Sequence, residues 1–560
     1  MGSVFCCHPL PVMFCRDKIY RLTLKGQRNM KLRIKLFLAL AAALVSAVYY
    51  YVTIPAVNIH FSGFWMFIIS LVAIVTLLCS LKSLKSGVPV KEAKPLKIGL
   101  AITVLLFVIY AAGTVLSSPI INANKYHNLL SIQEGNFTED IKEVDYSEIP
   151  LLDKSSAALL GNRKMGSLID MVSQFEVSPL YTQINYQGKP VRVTPLTYAS
   201  PIKWLTNMSQ GIPAYIMIDM TTQDTECVRL EEGSYIRYSQ SEYFNRNIYR
   251  HLRFRYPTYI FDTLSFEIDE EGTPYWICPV KKYNIGLFGG QTIGKVVLCN
   301  AITGETVSYD IEDCPQWVDS VYSANLLIQL YDYYGLYMNG FFNSVLSQKG
   351  CLQTTDGYNY LAMDDDVWVY TGITSVSGDE SNVGFVLMNQ RTMEAKYYAC
   401  PGAEEYSAMN SAQGQVQHLG YVSTFPLLLN VADEPTYFMA LKDSAGLVKK
   451  YAMVNIKKYQ NVAIGDTVAE CEKAYISLLK ANGISTGTSA PGETQSGMIE
   501  TIAPVVLEGN SHYYVVLTGK DMIFDVAVSD FPEIVTYKIG DQITLEYLDD
   551  EKLYPVTALK

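Results

Sequence analysis

The sequence predicts an α+β membrane protein: three N-terminal transmembrane helices, a tandem α+β ectodomain and a small C-terminal β-barrel. Three observations predict it. Apolar runs crowd the N-terminal fifth, a strand–turn–strand unit recurs at a constant offset, and short strands follow a Gly/Ser/Thr/Pro-rich stretch near the end. At 560 residues the chain has room for two to four folded units.

The apolar runs cover about Leu36 to Val57, Phe61 to Leu81 and Ile98 to Leu116, with no charge inside them. Each has the roughly 20 residues needed to cross a bilayer. Arg28, Lys31, Arg33 and Lys35 precede the first run, and Lys82, Lys85, Lys91, Lys94 and Lys97 separate the second from the third. The link between the first two has neither Lys nor Arg. The positive-inside rule therefore predicts a multi-pass plasma-membrane protein, with its N-terminus cytoplasmic and everything after Leu116 outside. A cleaved signal peptide is the rival, with "LVSA" at Leu44–Ala47 as its cleavage site, but the run continues past Ala47 and is too long for an h-region. Residues 1–35 are the predicted cytoplasmic N-terminus. "MKLRIKLFLAL" from Met30 is a natural bacterial start, which makes 1–29 a candidate mis-called extension.

Charge divides the chain in the same place. The net charge is −11, yet residues 1–117 carry 13 of the 44 Lys/Arg and only 2 of the 55 Asp/Glu. The acidic remainder argues against nucleic acid as a partner, because phosphates need a basic surface. Seven cysteines fall beyond residue 117, an odd number with no CxxC, which suits buried small residues better than a disulfide framework.

Residues 118–150 are polar and acidic and read as a stalk. The ectodomain, 151–482, then alternates strands with helices. "DKSSAALLGNRKMGSLIDMVSQF" has helical spacing, "LYTQINYQGKPVRVTPL" is a hairpin turning at Gln187-Gly188, and "SPIKWLTNMSQG" is a short helix with Ser200 as N-cap and Pro201 at its first position. "VVLCNAITGETVSY" and "FVLMNQRTMEAKYY" are one hairpin written twice: Asn300, Thr303 and Glu305 match Asn389, Thr392 and Glu394 at an offset of 89. Asp219, Thr222 and Asp224 take these places in a fainter upstream copy. Between the two clear copies, "PQWVDSVYSANLLIQLYDYYGLYMNGFFNSVL" is predicted as a helix broken near Gly335. A weaker fourth unit is "PTYFMALKDSAGLVKKYAMV". Short polar side chains at fixed turn positions suit local backbone hydrogen bonding, and a ligand-contacting edge is the competing reading. Residues 483–497 form a flexible linker, and 498–560 hold five or six strands, expected to close into an OB- or SH3-like barrel.

With "NAITGE" in the turn, the repeated hairpins resemble PepSY domains, extracytoplasmic α+β modules associated with peptidase inhibition or sensing. Over nearly the whole chain, "GIPAYIMIDM", "NIYRHLRFRYPTYIF", "GLFGG", "TTDGYNYLAM" and "PTYFMALKDSAGLVKKYAMVN" resemble uncharacterised membrane proteins of anaerobic Gram-positive bacteria, some labelled colicin-V-production type. That resemblance implies a location and carries no activity.

No HExxH, GxSxG or phosphate-cradling GxxxxGK[ST] occurs, so no catalytic residue, metal or cofactor is predicted. "GLFGGQTIG", Gly286–Gly294, lies between two strands and reads as a loop. Cys400 with His418 has no supporting local signature, and Asp364–Asp366 lacks the ligand spacing of a calcium loop. One cluster runs against the acidic background: Arg246, Arg250, His251, Arg253 and Arg255. It is either a face paired with carboxylates or an anion site for phosphate-bearing polymers or lipid headgroups, with Arg253 and Arg255 sharing one face of a strand. The functional expectation is a non-enzymatic, membrane-anchored extracytoplasmic binding or scaffold protein of the bacterial envelope. Its partner would be an envelope polymer, a peptide or another membrane protein. The alternative is an envelope hydrolase or peptidase, or a peptidase regulator.

Overall fold

The computed structural model describes residues 37, 39–85, 94–142, 149–150, 152–363, 365–376, 381–482, 493–507, 510–528, 531–547 and 554–559. The expected cytoplasmic segment 1–35, linker residues 483–492 and Asp364 lie outside the described residues. The chain divides into two units, Met1–Tyr475 and Ile476–Lys560.

Four antiparallel sheets dominate the first unit, each a meander of successive strands. Sheet I runs through Thr182–Tyr186, Lys189–Tyr198, Ala214–Asp219 and Thr225–Arg229; sheet II through Ser265–Ile268, Pro274–Ile285, Gly289–Asn300 and Thr306–Asp310. Sheet III comprises Asn359–Met363, Asp366–Ser375, Ser381–Asn389 and Ala395–Ala403, and sheet IV comprises Leu427–Val431, Glu434–Lys442, Val448–Asn455 and Val462–Gly465. In sheets I, III and IV the first strand is in two pieces that share one partner: Phe175–Val177, Leu352–Thr354 and Val422–Ser423 supply the second piece.

The sheets pack face to face in sequence. Trp276 and Cys278 of sheet II share a core with Tyr215 and Ile216 of sheet I, while Ile277, on the opposite face of the same strand, packs with Val369 and Val386 of sheet III. Asn382 Nδ2 of sheet III donates to the Tyr437 hydroxyl of sheet IV at 3.2 Å, and Ala403 N bonds Ile456 O at 3.0 Å. Lys442 of sheet IV pairs with Asp153, next to sheet I, at 2.7 Å. The succession I–II–III–IV–I thus closes into a ring, the arrangement of a four-bladed β-propeller. A helix follows the last strand of each sheet: Ile248–Arg255, Ala324–Leu336, Glu405–Gln415 and Val468–Ala481.

This architecture corrects the expected fold class on two counts. The repeats are not PepSY-like modules with one sheet face against helices, because both faces of sheet II are covered by other sheets. Among the described residues, one helix, Leu96–Leu116, is long and apolar enough to cross a membrane, whereas three were expected. Ala39–Thr53 and Ser62–Leu77 are shorter apolar helices. The first expected run breaks at Ile54, whose φ of +37° leaves the helical region ahead of Pro55. Beyond it the chain turns onto the ring: Val57 N donates to Pro257 O at 2.8 Å and Ala56 is fully buried. The helix expected from Pro315 starts only at Ala324, capped by Ser323, and it ends at Leu336, beside the expected break near Gly335.

Residues 118–150, expected as a stalk, are packed where described. Ile132–Glu134 adds a parallel strand to the outer edge of sheet III, and Asn430 Nδ2 donates to Ile141 O at 2.8 Å. Local readings fared better. The helix Pro201–Asn207 has its Ser200 cap, and the hairpin turn at Gln187-Gly188 has φ of +52° and +76°, the two left-handed residues of a type I′ turn.

In the second unit, Glu493–Leu507, Asn510–Leu517, Phe524–Ala527, Gln542–Tyr547 and Tyr554–Leu559 close into a barrel in the order first–second–third–fifth–fourth. The third and fifth strands pair in parallel. This is the strand order of an OB barrel. Ile499, Val515, Leu517, Phe524, Ile543 and Leu545 fill its interior.

Candidate functional site

The repeated hairpin is the same object three times, the third-to-fourth-strand turn of sheets I, II and III. Asn300 Oδ1 accepts from Ile302 N and Thr303 N, both at 2.9 Å, and Asn389 Oδ1 accepts from Arg391 N at 2.8 Å and Thr392 N at 2.9 Å. Asp219 Oδ1 does this with Thr221 N and Thr222 N. The threonine hydroxyls accept from Glu305 N, Glu394 N and Asp224 N. Gln223, Gly304 and Met393 share one left-handed position, with φ of +66°, +74° and +67°. All nine turn residues singled out in the sequence thus have local backbone roles.

The arginine cluster lies on one helix, Ile248–Arg255, with Arg246 in the turn before it. It is not the expected passage into a strand, so Arg253 and Arg255 sit about 200° apart round the helix instead of sharing a face. Arg253 Nε donates to Ile54 O at 3.0 Å and its Nη1 to Tyr259 O. Arg250 stacks over the Tyr51 ring at 4.8 Å, Arg246 Nη1 donates to Met208 O, and His251 Nε2 bonds Gly304 O at 2.7 Å. Burial holds the Arg253 guanidinium and the His251 imidazole below their ordinary pKa values. Arg255 is exposed. The cluster is therefore chiefly a clamp between the N-terminal helices and the ring.

A second clamp is the glycine loop of sheet II. Ser117 Oγ, at the end of the Lys94–Leu116 helix, accepts from Leu287 N at 2.8 Å and Phe288 N at 3.1 Å. A Cβ at Gly289 would lie 2.4 Å from both Ser117 O and Tyr126 Oη, so only glycine admits this approach. His60 Nδ1 bonds Leu287 O at 2.8 Å, and Trp65 and Tyr110 flank the Phe288 ring. Reading the loop as a loop missed this seat; the glycine spacing was its only signal.

The largest of several open cavities holds ≈ 710 Å³ beside the Arg250 clamp, and the one at the centre of the ring holds ≈ 530 Å³. Each sheet or its connections line this central cavity: Gln183 and Arg192 from I, Ser265 from II, Tyr360 from III, and from IV Phe425, in the link between the two pieces of its first strand. Arg192 and Gln183 are cross-strand partners, and Arg192 Nη2 donates to Gln183 Oε1 at 3.2 Å. They are only 4% and 5% exposed, and neither Arg192 Nε nor Gln183 Nε2 has a partner among the described residues. Burial alone pushes the Arg192 pKa down. Asp153, also on the wall, is committed to Lys442 and to Ser156 N.

Near this cavity, sheet II buries Glu267. Its carboxylate accepts from Asp319 N and Ser320 N, both at 3.0 Å, and from Ser265 Oγ at 3.2 Å. Asp319 Oδ2 accepts from Asn185 N at 2.7 Å, and its Oδ1 has no partner among the described residues. Burial pushes Glu267 up to about 7, and burial followed by repulsion from Glu267 pushes Asp319 well above the carboxylate range. The pair therefore holds a proton near neutral pH.

The nucleophile–base candidate is not assembled. Cys400 is buried, with its thiol pushed up to about 11 by burial, and His418 is exposed with no bond to it among the described residues. No group of His, Cys, Asp and Glu among the described residues is placed to hold a metal ion.

No protein-family model matches the chain, and no curated protein does. Solved structures with some likeness include an ACO/RPE65 chimera in a monoclinic crystal form, at 8% identity over 70% of this chain and 66% of that one, TM-score 0.14. A tryptophan-to-alanine mutant of Synechocystis apocarotenoid oxygenase has 9% identity over 71% and 67%, TM-score 0.14. The chain spans about two thirds of these proteins' length, and at such scores the likeness carries neither fold nor function.

Proposed function

We propose that this chain is a membrane-anchored extracytoplasmic binding protein of the cell envelope, holding a ligand-receiving ring at the outer surface of the bilayer. The observation that carries the reading is the double clamp. The C-terminal end of Leu96–Leu116, the one helix of membrane-crossing length and apolarity among the described residues, is seated in the sheet II glycine loop through Ser117, and the chain after Thr53 is gripped by Arg253. A ring gripped twice beside a span is held in place and not tethered loosely. Lys94 and Lys97 at the start of that helix, with no further Lys or Arg before Lys125, support an N-terminal end in the cytoplasm.

Exposed side chains beside the clamp support the same placement. Ile202 and Leu205 are 70% and 59% exposed, Phe244 61% and Phe254 49%, and Arg255, next to Phe254, is exposed too. Apolar and aromatic groups mixed with arginine suit a bilayer interface. A reporter joined after Ser118 is expected to be active only if it functions outside the cell. Activity of a cytoplasm-restricted reporter at that junction would overturn the reading.

A further inference from the structure

The axial cavity poses a question that anchoring leaves unanswered: why does a ring of four sheets bury a guanidinium with no carboxylate to meet it? Taking such a charge out of water is costly unless it is paired and hydrogen-bonded. Nothing in the packing requires it. Arg192 sits in a strand whose neighbours Val191 and Val193 are buried aliphatics, and methionine would fill a similar volume.

Three features of the site agree on an occupant. Arg192 Nε and Gln183 Nε2 are adjacent unpaired donors, cross-strand neighbours on one sheet face. Of the charged groups on the wall, Asp153 is matched by Lys442 and Lys154 is exposed to solvent, so Arg192 is the buried cation with no ion pair among the described residues. Tyr360 and Tyr358, which also line the cavity, meet edge to face with ring centroids 5.6 Å apart, and Phe425 adds a third aromatic ring to the wall. A cavity of ≈ 530 Å³ fits a small organic molecule and is too small for a polymer.

We infer that the axial cavity binds a small organic monocarboxylate, its carboxylate held by Arg192 Nε and Gln183 Nε2 and its body against Tyr358, Tyr360 and Phe425. Arg192 Nε brings a charged donor and Gln183 Nε2 a neutral one, enough to meet the two oxygens of one carboxylate. This inference does not depend on the chain's orientation in the membrane.

The test uses the full chain in detergent micelles and follows its melting temperature with millimolar benzoate, 4-hydroxybenzoate and gluconate. The matching amides and inorganic phosphate serve as comparisons. A ligand that binds only the folded state raises the melting temperature. At least one carboxylate is expected to raise it, with its amide inert. Arg192→Met is expected to fold and to lose that affinity by about 30-fold or more, as for removal of one partner of a buried charge pair. Equal shifts from acid and amide would overturn the inference, as would a shift retained in Arg192→Met. So would a larger shift with phosphate than with any carboxylate, or no shift with the whole panel. If Arg192→Met fails to fold, the acid-against-amide comparison on the unaltered chain decides the matter alone.

Discussion

Two arginines in the same ring meet opposite circumstances. Arg391, in the sheet III turn, donates from Nε to Asp366 Oδ1 at 2.6 Å and from Nη2 to Asp366 Oδ2 at 2.8 Å, a side-on fork. The hydrogen bond to Asp366 raises its pKa. Arg192 is more deeply buried, has one bond to a neutral amide, and is pushed the other way by desolvation. The first guanidinium is part of the fold's own charge balance, and the second is left over from it. The difference teaches where to look for function in a chain without a motif: at the charge that the structure buries but does not use.

The sharpest way to break this contrast is to remove each cation. Arg391→Met leaves the Asp366 carboxylate, 9% exposed, without its cation and with the Asn389 amide as its remaining side-chain donor, and is expected to lower stability by about 3 kcal/mol in denaturant unfolding. Arg192→Met removes an unpaired charge and is expected to leave stability unchanged or to raise it by about 1 kcal/mol without ligand. Equal losses in the two variants would show that Arg192 is a structural residue like Arg391.

The same contrast extends to the acids. Asp366 has its arginine, whereas Glu267 and Asp319 are buried with each other. Glu267 has a folded pKa of about 7 against an ordinary 4.5, so the folded state keeps a proton that the unfolded state has lost between these values. The stabilisation is full below pH 4.5 and is lost as pH rises to about 7. The melting temperature should fall across that window, and Glu267→Gln should flatten the fall. An unchanged slope would assign it to other groups.

The smallest expected effects are in the turns. Thr303→Ala and Thr392→Ala each remove a local hydroxyl bond and should cost about 1 kcal/mol or less. Their turns match bond for bond, but only the sheet III turn presents an arginine to Asp366. A distinctly larger loss in Thr392→Ala would mean that the turn's geometry and the ion pair are coupled.

What the sequence revealed follows from range. Asn300, Asn389, Asp219 and their threonines act within five residues of themselves, and Ser200 caps the helix it begins, so local chemistry was enough. Arg192 was invisible because "VRVT" reads as alternation, with arginine on a solvent face. In a ring each sheet has neighbours on both faces, and alternation no longer separates inside from outside. The ring itself was missed for a related reason. Helix-after-sheet spacing of 89 residues fits a tandem row of modules as well as a closed circle, and closure depends on distant contacts such as Lys442 with Asp153. The arginine run was seen but misplaced, because nothing local shows that Ile54 and Tyr51 will come to meet it.

The seat of Ser117 in the sheet II loop has a mechanical consequence. Its hydroxyl oxygen accepts from two successive backbone amides, and Gly289 lies against its backbone carbonyl with no side chain between. The helix end therefore cannot slide or tilt without dragging the hairpin Pro274–Asn300 along. That hairpin's first long strand is bonded directly to Ser265–Ile268, which carries Ser265 on the cavity wall and Glu267 behind it. Helix end, hairpin and wall are thus joined by one unbroken series of backbone and hydroxyl hydrogen bonds, from Ser117 to Ser265 on the cavity wall.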